Sequence, residues 1–550
     1  MTTPPVETTQ RDAPFDILIL GGGFGGMHML HKLRSLGFKV IALEAGSDVG
    51  GAWYWNRYPG ARCDVESLVY CYSFSDVVDA EWKWSEQYAP REEIARYQRF
   101  VCDRLDLRKD ICFNSRLVQA SFDETNDCWT FLTESGSTYT ARHFVSAAGP
   151  ISAPIMPNIP GRDSFQGEFY HTALWPRDRE PDFTGKRVGV IGTGSSGTQL
   201  IPLVAQQASE LVVFVRTPNY YSPARNRPLK EEDLKRWEAM RQDVRRKLRT
   251  GEMMGTGDIF LDSELQEKSK LPGAAFTPAQ RLEILERRWL NGGAIAPRAF
   301  CDVMTNKSVN EEVSEFLRSK VATIVKDPKT AEILTPRGFS FGTKRICVGT
   351  EFYETFNRPN VQAMDVREAP IERFTERGVV VGGKEVELDV IIAASGFDAL
   401  TGALTMIDIR GKGGVSIREN WSSNSDTYLG IGISGFPNLH MIGGPGSPSV
   451  LVNVVMCNEA QGDWIANLLE HMRQHGLKRV EVQAQAQVQW TEKVRNAVQT
   501  SVLADADSWY VGSNVPGKAK GILAYAGGIA NYLKACGECA ENGYEGFTFS

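Results

Sequence analysis

The sequence predicts an α/β protein with two Rossmann-like domains. Three observations carry that prediction: two strand–glycine turn–helix–strand units, their separation by about 170 residues, and a chain length of 550. Such a chain exceeds what one hydrophobic core normally organises, so two or three domains are expected. Its formal net charge of −6 gives no electrostatic case for nucleic acid, and no basic cluster marks a membrane surface. No apolar run approaches the roughly 18 residues that span a bilayer. Residues 1–14, MTTPPVETTQRDAP, lack the charged start and apolar stretch of a secretory signal and read as a disordered lead-in, so a cytoplasmic protein is expected. Ten scattered cysteines fit reduced, mostly buried thiols. Cys536 and Cys539 form a lone CxxC with no second pair or His cluster, so no metal site is expected.

The first unit is FDILILGGGFGGMHMLHKLRSLGFKVIALEAG. Ile17 to Leu20 form an apolar strand that runs into Gly21, Gly23 and Gly26 at GxGxxG spacing. A helix follows with Met27, Leu30, Leu33 and Leu36 on one face, then a second strand, Val40 to Leu43, ending at Glu44. The glycines allow a tight turn and close approach of a pyrophosphate, the helix N-terminus favours its charge, and the carboxylate can bind a ribose hydroxyl. Glycine-rich turns also simply join strands to helices. The strand, the helix and the terminal Glu together favour a dinucleotide site.

The second unit is KRVGVIGTGSSGTQLIPLVAQQASELVVFVRTP. Val188 to Ile191 lead into Gly192, Thr193, Gly194, Ser195, Ser196 and Gly197, again at GxGxxG spacing, and the strand Leu211 to Val215 ends in Arg216 and Thr217. An acid there would repel the 2′-phosphate of NADP, whereas a guanidinium can pair with it; the bland reading is a solvated arginine at a strand end. Pro202 falls within the second helix, where it can kink it. FAD in the first unit and NADPH in the second is the natural pairing, because a flavin takes a hydride and passes electrons on. Disulfide reductases share this arrangement but need a cysteine pair beside the flavin. Only Cys63 and Cys71, eight apart in an irregular segment, are available, which leaves O₂ as the expected acceptor.

Gly50, Gly51, Trp53, Tyr58, Pro59, Gly60 and Asp64 in GGAWYWNRYPGARCD, with Phe165, Gly167, His171, Trp175 and Pro176 in FQGEFYHTALWP, resemble the two fingerprints of type I Baeyer–Villiger monooxygenases. The order of FAD unit, first fingerprint, second fingerprint and NADP unit is also that family's. The resemblance runs from about residue 15 to about 530 and departs at Ala52 and in the tail ACGECAENGYEGFTFS. It implies that Trp53, Trp55, Asp64 and Tyr70 contribute to the FAD site. His171 would sit in the linker between the two nucleotide domains and couple their movement to catalysis; the residue-level alternative is a hydrogen-bonded histidine in a packed linker.

The resemblance also implies that Lys344 helps bind the NADP 2′-phosphate and that Arg345 approaches the flavin, oriented by Asp64. Trp509 would belong to a loop that closes over NADP, and Ser449, Val450, Leu451 and Val454 to a substrate-side loop of the phenylacetone and steroid monooxygenase type. As bare residues, an adjacent Lys-Arg pair reads as a solvated surface feature and a lone tryptophan as core. The charged stretch LKEEDLKRWEAMRQDVRRKLRT reads as helical. The expected division is therefore 15–150 and 386–550 for the FAD domain, 151–225 and 331–385 for the NADP domain, and 226–330 for a helical insertion in the latter.

The function expected from this reading is NADPH- and O₂-dependent conversion of ketones to esters or lactones through a flavin C4a-peroxide, with sulfoxidation as a further activity. A fixed cation, Arg345, would favour the anionic oxidant without donating a proton to it. Two alternatives share the glycine loops: a flavin-containing N- or S-oxygenase, and a non-catalytic flavin- and NADP-binding regulatory protein. The first long fingerprint and the Lys344-Arg345 pair weigh against the first, and intact Asp64, Arg345 and Trp509 weigh against the second. The ketone and the oligomeric state are not legible.

Overall fold

The computed structural model describes residues 14–253, 255, 259, 261–294 and 296–550, so all of the expected lead-in except Pro14 lies outside the described residues. The described residues build two large sheets, each with its own core, and three smaller ones. The first contains β1 (Phe15–Leu20), β2 (Val40–Leu43), β3 (Ile111–Cys112), β4 (Leu117–Asp123), β5 (Cys128–Thr133) and β6 (Thr138–Ser146). With the strand Asp408–Arg410 at one edge, the order is Asp408–Arg410, β4, β5, β6, β1, β2, β3. β1 lies parallel between β2 and β6, pairing Ile17 with both Val40 and His143. The strand Leu439–Met441 pairs with the second half of β6, beyond the residues that β5 occupies, so a late segment of chain completes the sheet. Central strands buried on both faces require unbroken apolar runs, and Ile17, Leu18 and Ile19 are fully buried. The helices Phe24–Ser35 and Val454–Gln474 pack together over one face.

The second sheet is wholly parallel and contains β7 (Glu168–His171), β8 (Arg187–Ile191) and β9 (Glu210–Val215), in the order Val361–Asp365, β9, β8, Val390–Ala393, β7. The helix Ser195–Gln207 follows β8 and continues through Pro202; Pro202 is buried with Leu200, Ile201 and Val204, and this packing keeps the helix continuous despite the missing N–H. A short parallel pair, Tyr221–Pro223 with Cys347–Gly349, fastens the segment carrying Lys344 and Arg345 to this domain.

Two expected boundaries move. Val390–Ala393, placed by the sequence in the first domain from residue 386, is a fully buried strand between β8 and β7. Four consecutive apolar residues satisfy the interior of either sheet, so composition did not decide between them. Residues 226–330 divide between the two cores. The helix Glu231–Thr250 buries Trp237, Val244 and Leu248 in the first core, and its Arg241 and Arg245 pair with Asp79. The helices Pro278–Asn291 and Lys307–Ile324 bury Leu285, Trp289, Val313 and Leu317 in the second. No helix among the described residues is long and apolar enough to cross a membrane.

The two domains meet where the first fingerprint lies on the helix Ser195–Gln207. The Gln199 side chain accepts from Tyr58 Oη (2.9 Å) and the Arg62 N–H (3.3 Å) and donates to the Arg62 carbonyl (3.0 Å). It therefore pairs with Arg62 as a neighbouring strand would. Gly60 makes this approach possible: its φ is +81°, and a Cβ there would stand 2.6 Å from the Gln199 carbonyl oxygen. Gly60→Ala should accordingly lower the free energy of unfolding by about 1–3 kcal/mol, from strained backbone and the forced separation of the two surfaces. Chemical denaturation checks this, and an unchanged midpoint and slope would show that the contact does not hold the domains together.

Candidate functional site

The first glycine turn leaves a helix N-terminus without a side-chain cap: Gly23 is the N-cap of Phe24–Ser35, and its leading N–H groups are open to an anion. Glu44 sits behind this turn, its carboxylate accepting from the N–H of Gly22 (2.6 Å) and of Gly46 (2.7 Å). Burial pushes its carboxyl above the usual range, against those N–H groups and the Trp55 side chain, which hold it down. The anchored carboxylate keeps lone pairs for ribose hydroxyls, so the residues fit an FAD pyrophosphate and its adjoining ribose. Gly51, at φ +50°, stacks on the turn, and a Cβ there would stand 2.9 Å from the Gly23 Cα.

Trp53 and Trp55 diverge from this point. Trp55 lies toward Glu44, with the Arg177 guanidinium 4.1 Å from its ring centroid, while Trp53 Nε1 donates to Tyr70 Oη (3.2 Å). Arg177, immediately after the second fingerprint, also donates to Tyr54 Oη (2.9 Å), so the two fingerprints touch. Cys63 and Cys71 are free thiols, both pushed up by burial, Cys71 to about 12, which is the opposite of a reactive dithiol.

The second turn repeats the arrangement. Gly194 caps Ser195–Gln207 with no side-chain hydrogen bond, and a Cβ added there would meet nothing within 4 Å, leaving a cradle open toward a second pyrophosphate. Thr193 is buried, Ser195 and Ser196 flank the opening, and Arg216 and Thr217 are exposed at the end of β9. Lys344 lies over the Phe339 ring and donates to the Asp507 carbonyl. Burial lowers its ammonium pKa and Arg216 lowers it further, against the pull of Asp507. Two cations that repel each other across an open cradle are a fit for a phosphate dianion, so the donor set suits NADP.

Arg345 joins the domains. Its Nε donates to Asp64 (3.0 Å), its Nη2 to both Asp64 carboxylate oxygens (2.8 Å each), and its Nη1 to the Val450 carbonyl (2.9 Å). Asp64 ends the first fingerprint, Arg345 precedes the strand Cys347–Gly349 of the short parallel pair, and Val450 lies in the turn Ser449–Leu451. Asn219 fixes the arginine from behind by donating to its carbonyl (2.6 Å). The Asp64 charge, against the cost of burial, holds the guanidinium above its ordinary pKa, so it stays a cation.

Ser508 Oγ donates to the Thr343 carbonyl (2.8 Å), which docks the Trp509 segment against the Lys344-Arg345 pair. Trp509, Val450 and Leu451 pack together around Tyr510 and Leu503. Val454, expected in the same loop, opens the helix Val454–Gln474 and packs on the first core.

His171 lies away from this cluster. Its Nδ1 accepts from the Ala173 N–H (3.1 Å), so Nε2 carries the proton and faces the Ile155 carbonyl (3.2 Å) and Ser395 Oγ (3.1 Å). Ile155 and Ser395 belong to the two segments that cross between the domains, which themselves pair at Pro154 and Phe397. His171 is buried and burial lowers its pKa, so it is a neutral pin at the crossing. Trp175 is buried against Tyr170 and Phe183, and Gly167 leaves room for the Asp389 carbonyl and the Phe165 ring.

Sequence reasoning did not single out Gln199, Tyr510 or Arg298. Gln199 is one helical turn beyond Ser195 and Ser196, and a polar residue there facing the other domain was the available signal. Tyr510 and Arg298 share the electrostatic environment of Arg345; burial raises the Tyr510 pKa and lowers that of Arg298. No local pattern marks either.

Residues 15–258 match the family model described as pyridine nucleotide-disulphide oxidoreductase. The chain is 39% identical over 549 residues to the acetone monooxygenase (methyl acetate-forming) of Gordonia sp. (strain TY-5), covering 99% of this chain and 100% of that protein. It is 37% identical to a Baeyer–Villiger monooxygenase of Pseudooceanicola batsensis, covering 98% and 97%. Among solved structures, OTEMO in complex with FAD and NADP superposes with a TM-score of 0.92 at 37% identity, covering 98% of this chain and all of that one.

Two outcomes follow from the geometry. Arg216→Leu should reduce catalytic efficiency with NADPH relative to NADH by about tenfold or more, the loss expected for a charge-assisted phosphate contact; steady-state kinetics with both nucleotides measure it, and an unchanged ratio removes Arg216 from the phosphate site. His171→Ala should retain FAD and fold but reduce its flavin slowly, because the crossing segments lose their pin. If activity per folded molecule is normal and only thermal stability falls, His171 is a packing residue alone.

Proposed function

The chain belongs to the Baeyer–Villiger monooxygenases, which convert ketones to esters or lactones with FAD and NADPH, and we propose that Arg345 and Asp64 form its oxygen-insertion centre, with dioxygen as co-substrate. The observation that carries this reading is the position of Arg345: one guanidinium bound by a carboxylate of the first domain and by a carbonyl of the substrate-side turn. A cytoplasmic location belongs to the same reading, supported by ten free cysteines.

Bound FAD supplies the redox chemistry, accepting a hydride from NADPH and, once reduced, activating dioxygen. The protein's part is binding, orientation and electrostatics. Arg216 and Lys344 hold the nucleotide phosphate, and the Trp509 segment, docked through Ser508 on Thr343, excludes water from the space in front of Arg345. In that space a fixed cation stabilises negative charge building on the carbonyl oxygen of a ketone under attack, and does so more strongly for the absence of water. Arginine suits this step because its proton is unavailable, and Asp64 makes it less available still. Asp64 also holds the planar guanidinium in one orientation, which a lysine's single ammonium would not reproduce. Val450 and Leu451 present apolar surface beside this charge, suited to the carbon skeleton of a ketone.

Removing the cation separates the two halves of the cycle. Arg345→Ala should bind FAD and accept hydride from NADPH, since Lys344, Arg216 and both glycine turns remain, while ester formation falls by about a hundredfold or more. The electrons should then leave as hydrogen peroxide. Stopped-flow flavin reduction, with ester and peroxide quantified from the same preparation, makes the test. Ester formation near the wild-type rate would mean that Arg345 is structural and the centre lies elsewhere.

A further inference from the structure

The C-terminal helix Ile529–Glu541 has no part in the reading above, yet it reaches the turn that presents Val450 to Arg345. Tyr532 is fully buried, and its hydroxyl donates to the Leu429 carbonyl (2.8 Å) and accepts from Gln461 Nε2 (2.7 Å). Gln461, also buried, accepts with Oε1 from the Gly443 N–H (2.8 Å). The three bonds join two backbone turns that share an unusual property. Leu429 (φ +56°) and Gly430 (φ +66°) face Gly443 (φ +73°), Gly446 (φ +80°) and Ser449 (φ +40°). Leu429 and Ser449 pay the steric cost of a left-handed backbone that glycine avoids. The turns are pressed together so closely that a Cβ on Gly444 would stand 2.5 Å from the Gly430 carbonyl oxygen.

Strained backbone persists only where its surroundings over-determine it. Here the surroundings come from late in the chain. Gly446 N–H donates to the Leu523 carbonyl (2.9 Å) and Tyr525 N–H to the Ser447 carbonyl (2.8 Å), while Leu523 N–H donates to the Tyr510 carbonyl (2.9 Å). Ser449 then places the next carbonyl, that of Val450, on Arg345 Nη1. We propose that Tyr532 is a positioning residue for oxygen insertion: through Gln461 and Leu429 it holds the two strained turns in register, and so fixes the Val450 carbonyl that orients Arg345. Burial keeps the Tyr532 phenol protonated, so its donor bond persists at all working pH. This rests on the reading of Arg345 given above.

The test compares Tyr532→Phe with Trp464→Phe in the FAD-loaded full chain. Trp464 is the control because its Nε1 ties the same tail helix through the Cys536 carbonyl (2.9 Å) without touching either turn. Tyr532→Phe should keep FAD and hydride transfer from NADPH, and amide exchange across residues 440–452, followed by mass spectrometry, should accelerate about tenfold as the turns loosen. With cyclohexanone and acetone as probes, KM should rise and the share of electrons released as peroxide should grow about threefold or more. Gln461→Leu breaks the relay at its other end and should reproduce these effects if Tyr532→Phe folds poorly. Trp464→Phe should lower thermal stability without changing the exchange pattern or the ester-to-peroxide ratio. The proposal is overturned if exchange and partition in Tyr532→Phe match wild type, or if Trp464→Phe changes them equally. If exchange accelerates in Tyr532→Phe but neither it nor Arg345→Ala alters the partition, the reading of Arg345 fails instead and the positioning role falls with it.

Discussion

The ion pair between Arg345 and Asp64 is the constraint on which the rest of this structure depends. Asp64 stands between Cys63 and Val65 of the first core and Arg345 beside Ile346 of the second, so the pair exists only when the two dinucleotide domains are correctly apposed. A partly buried charge pair is weak evidence for stability, because desolvation offsets most of the attraction. Its value here is positional. The carboxylate takes Nε and Nη2 and leaves Nη1 to the substrate-side turn, so the direction of the guanidinium reports the arrangement of three separate segments at once.

Around that pair the domain contact combines side-chain bonds with close approach of backbone. Gly60 meets the Gln199 backbone across the two domains, and within the first domain Gly51 meets Gly23, both at distances a methyl group would forbid. This gives the first fingerprint a physical meaning: GG stacks on the first glycine turn, YPG docks on the helix of the second, and Asp64 follows where the two surfaces converge. The second fingerprint does complementary work at the crossing segments, where His171 bonds to Ile155 and Ser395 and where Arg177 returns to Tyr54 and Trp55. The two motifs lie on the two sides of one domain junction, where small residues permit close approach and aromatic residues fill the contact.

The parts of this arrangement that were legible in the sequence are those whose cause is local. A run of four apolar residues entering GxGxxG can satisfy only a buried parallel strand and an open helix N-terminus, and both units form where that pattern stands. Arg345, by contrast, is an ordinary Lys-Arg surface dipeptide until the family pattern gives it a partner, because Asp64 lies 281 residues away. Tyr510 and Tyr532 carry no sequence signal, since each acts through a tertiary contact with another segment, and Gln199 offers only its polar side chain one helical turn beyond Ser195 and Ser196. The strand Val390–Ala393 and the helix Glu231–Thr250 carry patterns that either domain accommodates, and burial decides their membership. The resemblance ends before the tail 535–550, yet Tyr532, just ahead of that tail on the same helix, is among the best-buried side chains of the described residues.

On the proposed reading, oxygen insertion, as distinct from hydride transfer, depends on Asp64 holding Arg345. The most direct measurement bypasses NADPH oxidation altogether: reduce the bound flavin chemically with NADP⁺ present, supply dioxygen and a ketone that the wild type accepts, and count ester formed per flavin in a single turnover for wild type and Asp64→Ala. The account predicts that the variant consumes oxygen but returns it chiefly as hydrogen peroxide, with ester yield falling to a small fraction of wild type. An ester yield per flavin equal to wild type would contradict it, because the arginine would then act without the carboxylate that orients it.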